Sequence, residues 1–362
     1  VYASKTDQYH TNKWDVLYPE DELAEIAELV KVGEETKVRY AWSVHLSGFF
    51  KGLDTSNTTE YEKRYKNLIA KFQQLYDVGV RKFDILNDDF GGGSHDEVVK
   101  LLNRLDNEFI QKNGCKRMVY CPQGYNKAWS GNGDELKKLQ GLNETIDLYW
   151  TGDDVNSPIT QETVDFPKEQ TNHKPVFWLN YPVNEHSKSG IYLGDISYYA
   201  RDNVSGMAGF VSNPSRFAES NKVALFQLAA LNWNNNNYLE NSQKVWEDSF
   251  KYLQPEVQDS YLTIARNVAN APRSSRVPGF NESEYLKDKL ESVSDKAKRG
   301  VLTANDQEVL ELISEFDNMS SAIDDMKLNC ANKALLEELD PWLNSLKDVA
   351  TAGKEILNSI IA

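Results

Sequence analysis

The first two-thirds of the chain alternates short runs of consecutive apolar residues with longer segments whose apolar residues recur every three or four positions. Short runs rich in β-branched and aromatic residues are typical of buried strands, and the 3.6-residue period is typical of amphipathic helices. The pattern predicts strands at residues 37–44, 80–86, 117–121, 146–150, 175–180 and 207–212. Strands that alternate with helices indicate a parallel sheet, either open or closed as a barrel.

The clearest predicted helix covers residues 61–76, where Tyr65, Leu68, Phe72 and Leu75 share one face and Gly79 follows the end. The same period predicts further helices in the first two-thirds of the chain at residues 20–32, 95–111 and 217–231. After residue 240 the pattern is helical and no strand is predicted, which is typical of a helical bundle. We therefore predict an α/β domain at residues 1–240 and an all-α bundle at residues 241–362.

Composition narrows the classes of function. The chain has 362 residues and a formal net charge of -15, and such a negative field repels nucleic acids and other polyanions. Three cysteines and five scattered histidines form no metal-ligand spacing, so we expect neither a metal nor another cofactor. No apolar run reaches the length of about 18 residues that a membrane helix needs. We expect no nucleic-acid partner and no membrane span.

Two adjacent carboxylates, Asp88 and Asp89, follow the second predicted strand and precede three glycines. The pattern places both acids where a strand opens into a loop, which is where barrel enzymes keep their catalytic residues. Two neighbouring carboxylates do not ionise independently, which favours one acid and one base. Pairs of aspartates also occur in solvated loops without any catalytic role, so this pair alone leaves the function open.

Aromatic and amide residues are concentrated at the ends of the later predicted strands, at Tyr125, Trp150, Trp178, Asn180, Asn213 and Trp233. Flat aromatic rings pack against the C–H faces of a pyranose, and amides and carboxylates hydrogen-bond its hydroxyl groups. Any one of these residues is equally well explained as a core aromatic or a loop cap. Their joint position at strand ends favours a sugar-binding pocket.

These motifs together resemble glycoside hydrolase family 84, the O-GlcNAcases and related β-N-acetylglucosaminidases once labelled hyaluronidases. The resemblance rests on ordered motifs, which are Tyr2-Ala-Ser-Lys5, Asp88-Asp89, Trp150-Thr151-Gly152, Trp178-Leu-Asn180, Ser212-Asn213-Pro214 and Trp233-Asn234. It implies a (β/α)8 TIM barrel followed by an all-α helical bundle. The family's first barrel strand has no match in this sequence, so the resemblance implies an N-terminally truncated barrel.

The resemblance also implies a retaining exo-β-N-acetylglucosaminidase that works by substrate-assisted catalysis. In this family the 2-acetamido oxygen of the substrate attacks the anomeric carbon and forms an oxazoline, so the enzyme supplies no nucleophile. Asp88 is expected to orient the acetamido group and Asp89 to act as general acid and base. The other matched positions are expected to bind the substrate, at Lys5, Tyr125, Thr151, Trp178, Asn180, Glu185, Asn213 and Trp233.

Among these positions Tyr125 is expected to hydrogen-bond the acetamido oxygen. The expected partner is a glycan, glycoprotein or glycopeptide that carries GlcNAc. The sequence departs from the family pattern at three positions, because Glu185 replaces a shorter aspartate and Asn87 and Asp84 replace small, apolar or aromatic residues. A buried Asp84 requires a cationic or hydrogen-bonding partner.

Two other functions fit the same residues. The first is a catalytically impaired relative that binds GlcNAc without hydrolysing it. The second is a hyaluronidase-type endo-hexosaminidase, which is the minor alternative because an acidic protein repels a polyanion. A fragment of a longer precursor explains the unmatched first strand. We therefore expect a secreted or cell-surface bacterial protein, with the cytoplasm as the alternative location.

Overall fold

The computed structural model describes residues 7–89, 92–184, 190–268 and 282–361. The described residues fall into two compact units, one within Val1–Trp178 and Ser205–Val211 and one within Leu179–Val204 and Ser212–Ala362. Among the helices of these described ranges, none combines the length and the apolar character that crossing a membrane requires. The predicted division at residue 240 stays a prediction.

A sheet of six described strands forms the centre of the α/β part, in the order β1 to β6. The strands are β1 Trp42–His45, β2 Phe83–Leu86, β3 Val119–Cys121, β4 Asp147–Trp150, β5 Pro175–Leu179 and β6 Gly209–Ser212. The first five are paired in parallel, with Ile85 opposite Tyr120 and Leu86 opposite Cys121. Because neighbouring parallel strands end at the same edge, the residues after β2 and β3 lie side by side.

Helices connect these strands and cover the sheet. They are α1 Glu20–Thr36, α2 Ser47–Phe50, α3 Thr58–Asp77, α4 His95–Leu105, α5 Asp134–Lys137 and α6 Gln161–Thr171. Side chains fix where two of them begin, since Asn57 accepts a hydrogen bond from the Glu60 amide and Ser94 forms a reciprocal capping box with Glu97. The sequence therefore encodes the helix starts that follow β1 and β2.

The first unit packs aromatic rings beneath the sheet. Phe72 of α3 stacks on Phe83 of β2 with ring centroids 4.7 Å apart and meets Trp42 of β1 edge-on at 5.7 Å. All three side chains are fully buried. Burying one such ring is worth about 1.5–3 kcal/mol, so this cluster is a principal contact between helix and sheet.

The second unit is built mainly from helices, α7 Asn221–Trp233, α8 Tyr238–Leu253, α9 Gln258–Asn267, α10 Lys287–Lys298, α11 Gln307–Asn329 and α12 Lys333–Ile361. Its core consists of apolar side chains, among them Trp246, Phe250 and Ile323. The Glu338 carboxylate of α12 accepts hydrogen bonds from the amides of Glu219 and Ser220, at 3.0 and 2.9 Å. These amides precede α7, so one carboxylate connects two helices that are distant in sequence.

The predicted parallel sheet is confirmed, and the helices predicted after residue 240 are present in the part of that region that the structure describes. Each predicted strand is present, and each is shorter than the apolar run that predicted it, because outer residues of the run belong to the flanking turns. The helix predicted at residues 95–111 continues past Leu105 as a short π-helical turn, Asp106–Ile110. Local pattern therefore located the elements and left their ends uncertain by a few residues.

Candidate active site

Asp88 and Asp89 lie directly after β2, in the turn that leads to the glycines. The Asn87 amide still bonds to the Cys121 carbonyl at 2.9 Å, so the strand geometry holds up to the residue before the pair. Asp89 has a φ of 63°, in the left-handed region that residues with a Cβ seldom adopt. This turn separates the environments of the two carboxylates, because Asp88 is half-buried and Asp89 is exposed.

Steric crowding explains why one of the glycines after the acid pair, Gly93, has no side chain. Gly93 has a φ of 75°, and a Cβ built there would lie 2.9 Å from the Phe50 ring. A larger residue would have to displace α2, which carries that ring. Gly93 thus allows the backbone at residue 93 to pack against α2, the element that follows β1.

His45, at the end of β1, holds Asp88. Its Nε2 lies 2.8 Å from the Asp88 carbonyl oxygen and 3.8 Å from Oδ1 of the Asp88 carboxylate. The Ser47 amide donates to Nδ1 of the same ring at 3.1 Å. Since a backbone N–H can only donate, Nδ1 is the acceptor and the proton of the neutral ring is on Nε2, which donates to Asp88. The imidazole therefore connects the ends of β1 and β2.

Tyr125, in the loop after β3, donates its hydroxyl hydrogen to Oδ1 of Asp89 at 3.2 Å. Burial raises the pKa of this phenol well above its usual range, and the Asp89 carboxylate raises it further. The phenol consequently stays protonated and is a hydrogen-bond donor at the site. The indole of Trp129 packs against the Tyr125 ring at 5.1 Å and is 42% exposed.

Two further predicted residues, Thr151 and Trp178, lie at or after the next strand ends of the first unit. The Thr151 amide donates to the Tyr125 carbonyl at 3.0 Å, and the Thr151 hydroxyl donates to the Asp154 carbonyl at 2.7 Å. Trp178 packs against the same apolar cluster that contains Tyr125. The structure thus brings together five predicted residues, Asp88, Asp89, Tyr125, Thr151 and Trp178.

Buried polar groups support this arrangement from within the sheet. Asp84 is fully buried and forms an ion pair with Lys82, while the Val119 amide and the Tyr149 hydroxyl donate to it at 2.8 and 2.9 Å. The Tyr149 ring in turn meets Trp178 edge-on at 5.1 Å. The partners that a buried Asp84 was expected to need are present, and the carboxylate fixes a ring that supports Trp178.

Asn87 is also buried, and its side-chain amide lies 3.3 Å from the Tyr120 hydroxyl. This residue replaces a usually apolar or aromatic neighbour of the acids in the resemblance. The contact joins the residue before Asp88 to the centre of β3. Asn87 therefore adds a hydrogen bond beneath the acid pair that an apolar residue could not form.

Three further predicted residues belong to the second unit. The Asn213 side chain donates to Oδ1 of Asn180 at 2.9 Å, and the Asn213 amide bonds to the Leu179 carbonyl at the same distance. Trp233 is 93% exposed at the end of α7, and its predicted part in binding the substrate stays a prediction. Lys5 and Glu185 lie outside the described residues.

Sequence reasoning missed His45 and Trp129. His45 ends a predicted strand in the same way as the acid pair, so the rule that found Asp88 and Asp89 could also have found it. Trp129 lies four residues beyond Tyr125 in an irregular loop, where no period indicates its position. In the described ranges, no three His, Cys, Asp or Glu side chains come close enough together to hold a metal ion.

Comparison with known proteins shows which families this chain resembles. The family model described as beta-N-acetylglucosaminidase matches residues 1–266, and the model described as hyaluronidase post-catalytic domain-like matches residues 285–362. Protein O-GlcNAcase of Mus musculus is 25% identical over 289 residues, which cover 75% of this chain and 29% of the mouse protein. The protein of the same name from Rattus norvegicus is 24% identical over the same length.

Solved structures are similar over nearly the whole chain. The structure of CpGH84D has a TM-score of 0.91 at 32% identity and matches 99% of this chain and 60% of its own. The structure of CpGH84B has a TM-score of 0.85 at 30% identity, with coverage of 99% and 62%. An O-GlcNAc hydrolase mutant of Thermobaculum terrenum shares the fold at a TM-score of 0.83 and 20% identity, over 98% of this chain and 76% of that one.

The chain spans about three tenths of the mouse relative and three fifths of CpGH84D. The first family model covers well over half of this sequence and includes the acid pair, Tyr125 and every strand of the sheet. The family predicted from the ordered motifs is thereby confirmed. The chain belongs to the β-N-acetylglucosaminidases of glycoside hydrolase family 84, a family of glycoside hydrolases.

Proposed function

We propose that the protein is a retaining exo-β-N-acetylglucosaminidase that removes O-GlcNAc or terminal β-GlcNAc from glycoproteins and glycans. The observation that carries the proposal is the pair Asp88 and Asp89 at the end of β2, with the Tyr125 hydroxyl 3.2 Å from Asp89. We also propose that the sheet is part of a (β/α)8 barrel, with residues 1–240 as the catalytic domain and residues 241–362 as a helical bundle. The C-terminal edge of its strands then carries the site.

In the proposed first step the acetamido oxygen of GlcNAc attacks C1, and the bond from C1 to the leaving oxygen breaks. The Asp88 carboxylate accepts a hydrogen bond from the acetamido N–H and stabilises the positive charge that develops on the forming oxazoline. Asp89 gives its proton to the leaving oxygen. In the second step Asp89 takes a proton from water as the water attacks C1 and opens the ring, so the configuration is retained.

The environments of the two acids support these different roles. Asp88 is half-buried and is held in place by His45. A carboxylate that orients the acetamido group must itself keep one orientation. Asp89 is exposed, so a leaving group and then a water molecule can reach it. The Tyr125 hydroxyl has one hydrogen to donate. We propose that this hydrogen bond changes its acceptor from Asp89 to the acetamido oxygen when the substrate binds. Asn180, Asn213, Thr151, Trp178 and Trp233 are proposed to surround the sugar, with Lys5 and Glu185 on its hydroxyls.

A series of aryl β-GlcNAc substrates with different leaving groups tests this division of labour. Asp89→Asn should lower kcat/KM by about 10²- to 10⁴-fold for poor leaving groups and much less for good ones, because a good leaving group needs little protonation. Asp88→Asn should slow every member of the series. Asp96→Asn, which alters an exposed carboxylate in the first turn of α4, is the matched control.

The length of the N-acyl group gives a second measurement on the wild-type chain. A longer acyl group should reduce turnover steeply, because the pocket must enclose the group that attacks. Equal activity in both aspartate variants would refute the proposal. Binding of GlcNAc without hydrolysis would identify an impaired relative, and cleavage within a polymer would identify an endo-acting enzyme.

A further inference from the structure

A cavity of about 460 Å³ opens at the N-terminal edge of the sheet, on the side opposite to the acid pair. Its lining comes from the end of α1 and from the segments that lead into β1, β2 and β3. This volume lies within the range of about 300–1,000 Å³ that is typical of small-ligand sites. We call it the basic cavity, and it is lined by Val30, Gly33, Glu34, Lys37, Arg39, Tyr40, Gly79, Arg81 and Lys116.

Four of the nine lining residues are cations and one is a carboxylate, in a chain whose net charge is -15. The neighbouring cations Lys82 and Arg117 form ion pairs with Asp84 and Asp147 of the sheet. In contrast, Lys37, Arg81 and Lys116 form no ion pair with any residue that the structure describes. The Glu34 carboxylate lines the same cavity but forms no ion pair with any of these three, so their like charges repel one another and an anion between them would relieve that repulsion.

Two of these cations, Arg81 and Lys116, belong to neighbouring segments of the backbone. The Lys116 amide donates to the Arg81 carbonyl at 2.8 Å, so the chain segments before β2 and β3 run together at this point. The Arg81 guanidinium stacks on the Tyr76 ring at 3.8 Å, and its Nη1 donates to the carbonyls of Tyr76 and Val80. A guanidinium fixed in this way loses little entropy when its other N–H groups bind an anion.

The uncharged part of the lining consists of Val30, Gly33, Tyr40 and Gly79 and is closely packed. A Cβ added to Gly79 would lie 2.9 Å from Cγ1 of Val30, and one added to Gly33 would lie 2.4 Å from the Val38 carbonyl oxygen. The Tyr40 ring, which is 8% exposed, also lines the cavity. The space is much larger than a phosphate ion, so an organic group fits against these walls while its anionic end meets the cations.

From this geometry we propose that the basic cavity binds a small organic phosphate, with its phosphate group on Arg81 and Lys116 and its organic part against Tyr40 and Val30. The site is separate from the acid pair and does not depend on the function proposed above. Arginine and lysine recognise phosphate through charge-assisted hydrogen bonds, and Arg81 presents its donors in a fixed plane.

Isothermal titration calorimetry of the full chain at low ionic strength tests the site, with adenosine 5′-monophosphate, inorganic phosphate and uncharged adenosine as probes. The nucleotide should bind, inorganic phosphate should bind more weakly, and adenosine should not bind measurably. The double variant Arg81→Gln/Lys116→Gln should weaken nucleotide binding about tenfold or more. Both positions are exposed, and a thermal melt of the variant verifies that it is folded.

The control is Lys63→Gln/Lys66→Gln, which removes the same two charges from exposed positions on α3. Lys66 precedes Gly79 by 13 residues along the helix and its end, roughly 20 Å at 1.5 Å per residue. The control variant should bind the nucleotide as the wild type does. Equal weakening in both double variants would mean a long-range field rather than a site, and the absence of nucleotide binding by the wild type would also overturn the proposal.

Discussion

The two units differ in what they bury. The first encloses Asp, Lys and His side chains, which are His10, His45, Lys71, Asp84, Asp106, Asp147 and His173. The described part of the second unit buries uncharged polar groups such as Gln227 and Asn267 but no Asp, Glu, Lys, Arg or His side chain. Burying a charge costs free energy unless partners compensate, so the first unit carries a cost that the second avoids. That cost is found in the unit whose strand ends position the acids.

This difference makes the first unit sensitive to substitutions and to pH in ways that the second is not. The largest effects are expected where a buried ionisable side chain is replaced, and the smallest where a carboxylate at the start of a helix loses its charge. Each substitution leaves the apolar cores intact.

Removing the Asp84 carboxylate should have the largest effect on stability. Asp84→Ala removes the carboxylate that accepts from the Lys82 ammonium, the Val119 amide and the Tyr149 hydroxyl. Breaking a buried pair in this way costs about 3–5 kcal/mol of unfolding free energy, which denaturant titration measures. Asp77→Ala removes an exposed carboxylate and should cost less than about 1 kcal/mol. Equal losses in the two variants would contradict the contrast between the units.

Lys71 should make the stability of the first unit depend on pH. It is fully buried on α3, where its ammonium donates to the carbonyls of Tyr9 and Lys13 at 2.9 and 2.6 Å, and burial lowers its pKa to about 7. Below pH 7 both the folded and the unfolded state hold this proton. Between pH 7 and the ordinary value of 10.5 only the unfolded state holds it, so folding becomes more favourable as pH rises.

The gain is at most about 1.4 kcal/mol per pH unit, or about 4 kcal/mol from pH 7 to 10. Lys71→Met should lose this rise, so the difference in unfolding free energy between wild type and variant should grow over that range. Lys66→Met, on the exposed face of the same helix, should follow the wild-type curve. Parallel curves for wild type and Lys71→Met would refute the assignment.

His45→Leu should lower kcat by roughly tenfold to a hundredfold, because it frees Asp88 from the ring that fixes it. Since Asp88 is proposed to act on the acetamido group, the loss should be similar for good and poor leaving groups. His173→Leu is the matched control, because it removes another buried imidazole that bonds to a backbone carbonyl, that of Ile146. Steady-state kinetics on aryl β-GlcNAc would contradict this role if both leucine variants lost the same activity.

The smallest effect is expected in the second unit. Glu338→Gln keeps the shape of the side chain but removes the charge that binds the amides of Glu219 and Ser220 before α7. The expected loss is about 1 kcal/mol of unfolding free energy, measured by denaturant titration. Glu337→Gln, at the neighbouring exposed position, should be neutral. A loss as large as that of Asp84→Ala would show that this unit also depends on a critical charge.

Much of the fold could be predicted because each strand and helix has its own periodic pattern. The buried strand at Phe83–Leu86 contains a charged residue, Asp84, and was still found, since its apolar neighbours outweigh one polar residue. Lys71 was missed, although it lies between Leu68 and Phe72 on the apolar face of α3 and could have been flagged there. Its partners come from residues about 60 positions earlier, and no local rule supplies them.

The candidate site was also predicted only in part. The positions of Asp88 and Asp89 follow from strand-end geometry, and their roles from the family resemblance. The contacts of His45 with Asp88 and of Tyr125 with Asp89 join residues 43 and 36 positions apart. Such pairings depend on which strands become neighbours, which the pattern of a single strand does not contain.

The left-handed backbone at Asp89 creates a conflict between catalytic activity and thermal stability. A residue with a Cβ at a φ of 63° is strained by about 1 kcal/mol, and glycine would relieve that strain while deleting the proposed acid. A mutant library selected only for survival of heating should accumulate glycine at position 89 and lose turnover of poor leaving groups. Engineering of a hardier enzyme from this scaffold would have to screen for heat resistance and catalysis together.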